Sequence, residues 1–230
     1  MLCWTASTTA GGEAGQVRLI TSLEESSEAS VHAGQQLITA VYENCGLQVN
    51  FLEAPPARSL SLAEEGRADG ELARLRTSID ANGPLVALEP PITVLQVVPI
   101  YVNPDIPASN TLASVKRVGY INGYRMVPPL LPRGVSTLLA HNTEHLVLLL
   151  ERDRIDVGLT LGLDAEKALL EHEGLMAGNP VLQEPVYHFI HRSRIDDMPC
   201  LSKSLQRLKE EGHVDRVLDS IVSEQLSSPP

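Results

Sequence analysis

An arginine and a serine at the start of a predicted helix are the first candidates for chemistry in this sequence. Arg58 and Ser59 follow two prolines, which end an extended segment and open a helical pattern. The first turn of a helix presents unpaired N–H groups that bind anions, and an arginine adds a planar fork of donors suited to a carboxylate. We therefore expect Arg58 and Ser59 to bind an anion. The alternative is a structural salt bridge from Arg58 to Glu71 or to a carboxylate of its own helix.

A second set of polar side chains follows the next predicted strand. Glu71 and Arg74 come after the segment that carries Asp69. We expect them to form one polar wall of a cleft, in which Glu71 meets a hydrogen-bond donor and Arg74 meets an anion. Arg67 and Asp69 are expected to be structural or solvated.

The opposite wall is predicted from the second half of the chain. Tyr124 and Arg125 follow Gly123 at the start of another expected helix, whose free N–H groups would also face an anion. Thr160 lies on a later strand and is expected to complete this wall. The candidate ligand-binding residues are therefore Arg58, Ser59, Glu71, Arg74, Tyr124, Arg125 and Thr160.

Signals for catalysis, cofactors or metals are weak. The sequence contains no Gly-x-Ser-x-Gly, no Gly-rich phosphate loop and no Gly-x-Gly-x-x-Gly. His141 and His145 have the spacing of helical metal ligands, but a helix cap at Asn142 would leave His141 outside the helix, and no third ligand is evident. His188 and His191 fall on opposite faces of a strand. We expect no catalytic residue, no cofactor and no metal.

The composition excludes other classes of function. The chain has 230 residues, 43% of them hydrophobic, and a formal net charge of −11. This acidic charge argues against nucleic acid as a partner, because phosphate binding needs a basic surface. No apolar run approaches the roughly 18 residues of a membrane span. Only 3% of the residues are aromatic, so a pocket built on aromatic stacking has few residues to use.

The first third of the chain alternates strands and helices. Strands are expected at residues 17–21 and 49–52, a helix over residues 34–45 ending at Gly46, and a second helix ending at Gly66. Residues 67–72 restart a strand, which predicts a parallel pair with a right-handed crossover. This order is typical of an α/β doubly wound sheet.

Two groups of motifs in this order resemble a known family. The first is Pro-x-x-Arg-Ser-Leu with Gly-Arg-x-Asp-Gly-Glu and Arg74, and the second is Val-Gly-Tyr-Ile-Asn-Gly at 118–123 with Leu-Leu-Leu-Glu-Arg-Asp-Arg-Ile-Asp at 148–156. Together they resemble type 2 periplasmic solute-binding proteins, specifically the family 3 branch with the amino-acid receptors of ABC importers. The resemblance covers roughly residues 17–225.

The resemblance implies a two-lobed fold with a ligand cleft between the lobes, each lobe a mostly parallel sheet flanked by helices. Residues 17–95 and 185–230 are expected to form the first lobe, and residues 96–184 the inserted second lobe. The apolar run 92–102 would cross between lobes, because a run of this length is buried on both sides, and the chain would return near Pro185. Residues 1–16 would be a disordered tail or a signal-peptide remnant.

In the second lobe, strands are expected at residues 116–121 and 155–161 and helices at residues 124–131 and 165–173. A helix capped by Asn142 or Thr143 precedes the second strand. Residues 181–183 form a returning strand, and two helices separated by Gly212 end the chain. The loop at 23–32 faces the ligand in the related receptors.

The implied function is an extracytoplasmic solute-binding protein, monomeric and without catalytic activity, that delivers a small polar or anionic solute to the membrane permease of an ABC importer. Amino-acid receptors of this family bind the α-carboxylate with an arginine, whose position falls near Ala81 or Asn82 here, and bind the α-ammonium with an aspartate at the end of the strand that ends at Leu161. Both groups are missing, so a standard α-amino acid is not the expected ligand; the alternative is that Arg74 or Arg76 substitutes for the arginine. The alternatives are a dehydratase-like or biosynthetic enzyme on the same fold, or a sensor or interaction module with a degenerate cleft.

The cysteines follow no metal-binding pattern. Cys45 ends an apolar helical face and is expected to be a buried small hydrophobe. A Cys45–Cys200 disulfide is the alternative, conditional on an oxidising compartment.

Overall fold

The computed structural model describes residues 16–23, 29–113, 115–217 and 220. It is an α/β structure in which helices flank a mixed sheet, as the sequence predicts. The strands are β1 (Val17–Leu23), β2 (Gln48–Ala54), β3 (Gly70–Leu75), β4 (Leu85–Ala87), β5 (Thr93–Tyr101), β6 (Arg117–Ile121), β7 (Ser136–Ala140), β8 (Val157–Leu161), β9 (Met176–Ala177) and β10 (Leu182–His191). The helices are α1 (Ala29–Glu43), α2 (Pro56–Glu64), α3 (Thr143–Glu151), α4 (Gly162–Glu171) and α5 (Met198–Glu210), and residues 213–217 are also helical.

The first part of the sheet is parallel, with β1 in its centre. β1 pairs with β2 on one side and with β3 on the other. The predicted parallel unit at 49–76 is therefore correct in direction, but its two strands both pair with β1 and not with each other. Gly46 and Gly66 adopt φ of +71° and +69°, the left-handed conformation that ends a helix at low cost in glycine.

Helix α1 begins five residues before the predicted start at Gly34. Its apolar stripe buries Leu37, Ile38, Val41 and Tyr42 as expected. Residues 29–32 of the predicted ligand-facing loop are therefore helical, whereas residues 24–28, and nearly all of the predicted tail 1–16, lie outside the described residues.

The second part of the sheet departs from prediction between β6 and α3. The expected helix at 124–131 is absent: a turn after Gly123 leads to a 3₁₀ turn at Pro128–Leu130. Prolines at 128 and 129 lack N–H groups and so remove the hydrogen bonds that an α-helix needs here. The strand β7, which the sequence analysis did not predict, pairs in parallel with β6. Helix α3 begins as expected, because the Asn142 side chain accepts a hydrogen bond from the His145 N–H at 2.8 Å.

The expected two separate sheets are joined into one hydrogen-bonded path. The strand order is β2-β1-β3-β10-β5-β8-β6-β7, with β4 and β9 pairing beside it. The junction is the antiparallel ladder between β10 and β5, which runs from the Leu182–Val97 pair to the Val186–Thr93 pair. The two segments that cross between the lobes, β5 and β10, lie next to each other, so their backbone groups form hydrogen bonds. This pairing connects the part of the sheet on one side of the junction with the part on the other side.

Two hydrophobic cores nevertheless form on the two sides of this junction. The first includes Ile20, Ile38, Leu72, Ile190 and Leu205, and the second includes Val97, Val118, Leu146, Val157 and Leu159. We call the structures around them the first and second lobe. The residue limits predicted for the lobes stay a prediction.

Two cross-links fasten the ends of the first lobe. Cys45, just after α1, forms a disulfide with Cys200 in the first turn of α5, so the expectation of a free buried Cys45 is wrong. The Arg18 guanidinium on β1 binds both carboxylate oxygens of Asp197 at 2.7 and 3.1 Å. Among the helices that the structure describes, each is too short or too polar to cross a membrane.

Candidate functional site

A cavity of about 460 Å³ lies between the two lobes. Its first-lobe side is formed by α1, β3 and the start of β5, and its second-lobe side by the turn after β6 and the first turn of α4. The volume falls in the range of roughly 300–1,000 Å³ typical of small-molecule sites. The two-lobed fold thus forms the kind of cleft that the sequence predicts.

The lining is mainly apolar, and its polar members are few. The apolar side chains are Val31, Ala33, Leu37, Leu60, Leu72, Ala73, Leu75, Ile92, Val94, Leu95, Met126, Leu161, Leu163, Val186, Val214 and Val217. The polar and charged side chains are Ser22, Ser30, Ser78, Thr93, Gln96, Tyr124, Glu71, Arg74, Arg125 and Glu166. A ligand therefore meets hydrocarbon over most of its surface and a small number of polar groups.

Glu71 lies in the wall of the cavity but is already bound by protein groups. It is on β3 and not after that strand, and only 1% of its surface is exposed. One carboxylate oxygen accepts hydrogen bonds from the hydroxyls of Thr21 and Ser59, the latter at 2.6 Å, and the other accepts one from the Arg74 Nε at 2.7 Å. The arrangement fixes β1, α2 and β3 to one another.

The two candidates at the start of α2 lie away from the cavity. Ser59 is fully buried and donates to Glu71. Arg58 is exposed and is not part of the lining. The alternative of an Arg58–Glu71 salt bridge is wrong, because Arg74 is the arginine that binds Glu71. The roles of Arg58 and Ser59 in binding stay predictions.

In the second lobe, the candidates divide in the same way. Tyr124 and Arg125 both line the cavity, although they lie in a turn and not at the start of a helix. Tyr124 is 6% exposed, whereas the Arg125 side chain is exposed. Thr160 is fully buried and shares a hydrogen bond of 2.6 Å with the Thr143 hydroxyl, so it holds β8 to α3. The neighbouring Leu161 lines the cavity instead.

Arg125 is the positively charged side chain of the lining to which no other described protein group is bound. Within the described part of the chain, the structure shows no hydrogen bond or ion pair to its guanidinium. Arg74, by contrast, is bound to Glu71. An arginine remains charged at any physiological pH and offers donors in a geometry that matches a carboxylate. The structure thus brings Glu71, Arg74, Tyr124 and Arg125 to one cavity, and their role in binding stays a prediction.

Asp164 and Ser30 connect the lobes, and neither was predicted as a functional residue from the sequence. Asp164 on α4 is only 3% exposed, and its oxygens accept hydrogen bonds from the Ser30 N–H at 3.0 Å and the Ser30 hydroxyl at 2.8 Å. Ser30 belongs to the first turn of α1 and lines the cavity. A carboxylate from the second lobe thus binds the N-terminus of a first-lobe helix. Ser30 and Asp164 are 134 positions apart, so no local sequence pattern indicates their contact.

A buried polar pair supports β3 behind the cavity wall. The His188 Nδ1 lies 3.1 Å from the Leu72 carbonyl oxygen and its Nε2 lies 2.9 Å from the Tyr42 hydroxyl. Because a carbonyl only accepts, Nδ1 carries the proton and Nε2 accepts from Tyr42. Burial lowers the pKa of His188 to about 4, and burial raises the pKa of the Tyr42 phenol. Both side chains are therefore neutral at physiological pH.

The histidines considered for metal binding lie elsewhere. The rings of His141 and His145 stack with centroids 5.4 Å apart, and the His145 Nδ1 accepts a hydrogen bond from the His141 N–H. A separate group, Glu144, Glu171 and His172, has ligand atoms within 4.8 Å of one another on α3 and the end of α4. The His172 Nε2 is 3.0 Å from a Glu144 carboxylate oxygen, which is a hydrogen-bond distance.

Solved structures share this fold across nearly the whole chain. The substrate-binding protein AbpA of an amino acid ABC transporter from Streptococcus pneumoniae, bound to L-arginine, is 15% identical with a TM-score of 0.72, covering 93% of this chain and 96% of that one. The GluR0 ligand-binding core in complex with L-glutamate is 10% identical with a TM-score of 0.73, covering 92% and 100%. A histidine kinase sensor domain with similarity to periplasmic binding proteins is 14% identical with a TM-score of 0.70, covering 90% and 96%.

These similarities concern the fold. They confirm the predicted likeness to type 2 periplasmic binding proteins at that level, and membership in the family 3 branch stays a prediction. No protein-family model matches the sequence, and no curated protein matches it either.

Proposed function

We propose that this chain is an extracytoplasmic solute-binding protein that captures a small organic anion between its lobes. The observation that carries the proposal is the interlobe cavity of about 460 Å³, with the Arg125 guanidinium on its second-lobe side. A solute that contacts both lobes binds more tightly when they are together, so binding favours closure. The comparisons support the proposal because proteins with this fold include receptors for small solutes.

An extracytoplasmic location is supported by the disulfide between Cys45 and Cys200, because disulfides persist mainly in oxidising compartments. The similar structures include a transporter's substrate-binding protein and a sensor domain. In the first role, the partner would be the membrane permease of an ABC importer. The second candidate function is sensing, favoured by the histidine kinase sensor domain, and there the solute would act on an attached signalling domain.

A standard α-amino acid is not the proposed solute. At the position where the related receptors place an aspartate for the α-ammonium, this chain has Leu161, whose side chain lines the cavity. Ala81 and Asn82, near the expected position of the clamp arginine, are exposed and outside the lining. Arg125 then becomes the group that binds the anion.

The proposal is a binding function and not catalysis. Among the lining residues that the structure describes, Glu71 is the buried carboxylate. Three protein donors, from Thr21, Ser59 and Arg74, bind it, and so it is poorly placed to transfer protons to a solute. Incubating the purified protein with each solute that it binds should leave the solute unchanged. A product would establish the enzyme alternative.

Thermal unfolding in the presence of small metabolites tests the proposal. A solute that binds only the native state raises the melting temperature. At a concentration of 100 times Kd, it adds about 2.7 kcal/mol to the free energy of unfolding. We expect organic anions to stabilise the wild-type protein and the control variant Arg133→Gln, which removes an exposed arginine outside the cavity. Arg125→Gln should lose most of the shift. If no organic anion stabilises the protein, or if Arg125→Gln responds like the wild type, the proposal is wrong.

A further inference from the structure

We infer that the solute is a monocarboxylate with an apolar body, in which the carboxylate contacts Arg125 and the hydrocarbon fills the space between the lobes. This inference rests on the proposed function and specifies its solute. It differs from the expectation of a small polar solute, because the lining of the cavity is mainly apolar.

The floor of the cavity is hydrocarbon that belongs to the first lobe. Leu37, Leu72, Ile92 and Val186 line it with 3–7% of their surfaces exposed. A polar group placed against these side chains would lose its hydrogen bonds to water without replacement, at a cost of about 1–3 kcal/mol. An apolar body gains by the same contact, so this floor selects for hydrocarbon.

The rim on the second-lobe side is also apolar. Leu161 and Leu163 flank the start of α4, and Met126 follows Arg125 in the turn after β6. Val94, 53% exposed at the start of β5, continues the surface from the crossing strand. A solute held by Arg125 therefore contacts hydrocarbon on both lobes, beside the uncharged polar side chains of the lining.

The charged groups of the lining fit one carboxylate and not two. The Arg74 Nε lies 2.7 Å from a Glu71 carboxylate oxygen, so the two opposite charges compensate each other and neither needs an opposite charge on the solute. Arg125 then supplies one positive charge. Among the lining residues that the structure describes, Glu166 on α4 is the remaining carboxylate, and it would repel a second negative charge on the solute.

The described lining offers few hydrogen-bond acceptors to an ammonium group on the solute. Such a group has three N–H donors to satisfy, and the Glu71 oxygens already accept from Thr21, Ser59 and Arg74. Among the described residues of the lining, Glu166 is the one carboxylate left to accept these three donors. A carboxylate on Arg125 can instead form two parallel hydrogen bonds.

Titration calorimetry with a graded series of monocarboxylates tests this inference. The probes are butyrate, hexanoate and octanoate, the neutral amide octanamide, and the comparison solutes succinate and L-leucine. Affinity should rise about fourfold for each CH₂ that is buried. Octanoate should bind about tenfold more tightly than octanamide because the charge-assisted bonds to Arg125 are lost in the amide. Succinate and L-leucine should bind more weakly than octanoate.

Two pairs of variants locate the two parts of the solute. Arg125→Gln should remove the preference for octanoate over octanamide, whereas Arg133→Gln should keep it. Val94→Thr replaces a lining methyl with a hydroxyl. It should weaken the binding of octanoate about fourfold, with little effect on the binding of butyrate. Val102→Thr, at an exposed valine outside the cavity, should leave both unchanged.

The outcomes separate this inference from the proposed function. Affinity that is flat along the series, or tighter binding of succinate or L-leucine, overturns the apolar monocarboxylate. In that case the proposed function survives if another organic anion still binds in a manner that depends on Arg125. If no anion binds, both fail.

Discussion

The carboxylate of Asp164 on α4 accepts two hydrogen bonds from Ser30 in the first turn of α1, at 3.0 Å from the backbone N–H and at 2.8 Å from the hydroxyl. The two residues belong to different lobes and lie beside the cavity. Their contact joins the lobes directly, in addition to the crossing strands. It follows that the separation of the lobes requires these bonds to break.

We therefore expect Asp164→Ala to favour separated lobes by about 1–3 kcal/mol, the contribution of hydrogen bonds to a charged group. Small-angle scattering without solute should give a larger radius of gyration than for the wild type. The control is Asp105→Ala, which removes an exposed carboxylate of the second lobe. An unchanged radius for Asp164→Ala would show that the Ser30 contact does not hold the lobes together.

The buried His188 predicts a dependence of stability on pH. Its pKa is lowered by burial from 6.5 to about 4 in the folded protein, so between these values the unfolded state binds a proton that the folded state does not. Stability is therefore complete above about pH 6.5 and falls as the pH decreases towards 4, by up to about 3 kcal/mol. Below about pH 4 this contribution changes no further.

Chemical denaturation at a series of pH values measures this dependence. His188→Asn retains a donor for the Leu72 carbonyl but does not titrate, so its stability should fall less steeply between pH 6.5 and 4. Val102→Thr, at an exposed position that does not titrate, should show the wild-type slope. Equal slopes in all three proteins would contradict a neutral, buried His188.

Glu71 is expected to act in stability and not mainly in binding. Glu71→Ala removes the acceptor shared by Thr21, Ser59 and Arg74, and breaking a buried ion pair from one side costs about 3–5 kcal/mol. Denaturant titration should show this loss, and Glu53→Ala, at an exposed position on β2, should show little. A stable Glu71→Ala protein that fails to bind solute would instead assign Glu71 to the ligand.

The disulfide predicts sensitivity to reduction. Cys45 and Cys200 are 155 positions apart, and closing a long loop restricts the unfolded chain, so its loss should cost about 2–5 kcal/mol. A reducing agent should lower the melting temperature of the wild type and leave that of the Cys45→Ser/Cys200→Ser variant unchanged. Equal melting temperatures with and without reductant would mean that the bond does not stabilise the fold.

Local patterns predicted most of the fold. The apolar stripe at Leu37 and Val41 indicated α1, Gly46 and Gly66 marked helix ends through their left-handed conformation, and Asn142 capped α3. These signals act within a few residues. The helix expected after Tyr124 failed because the prolines of the following turn remove the backbone donors, and that constraint was present in the sequence.

The parts that could not be predicted depend on contacts between distant residues. Glu71 is a residue type that often binds ligands, but here its carboxylate accepts hydrogen bonds from Thr21 and Ser59. Their spacing in the sequence does not reveal that these residues are in contact. The same holds for Asp164 with Ser30 and for Cys45 with Cys200. Leu161 could be identified from its place at the end of a strand, since an apolar side chain there changes what the cavity accepts.

The central claim is that an organic anion binds between the lobes through Arg125. The most direct measurement is the calorimetric affinity of the most strongly stabilising anion for the wild type, Arg125→Gln and Arg133→Gln. We predict a loss of about tenfold or more in Arg125→Gln, the value of charge-assisted hydrogen bonds, and no significant change in Arg133→Gln. Equal affinity in all three proteins would contradict the claim.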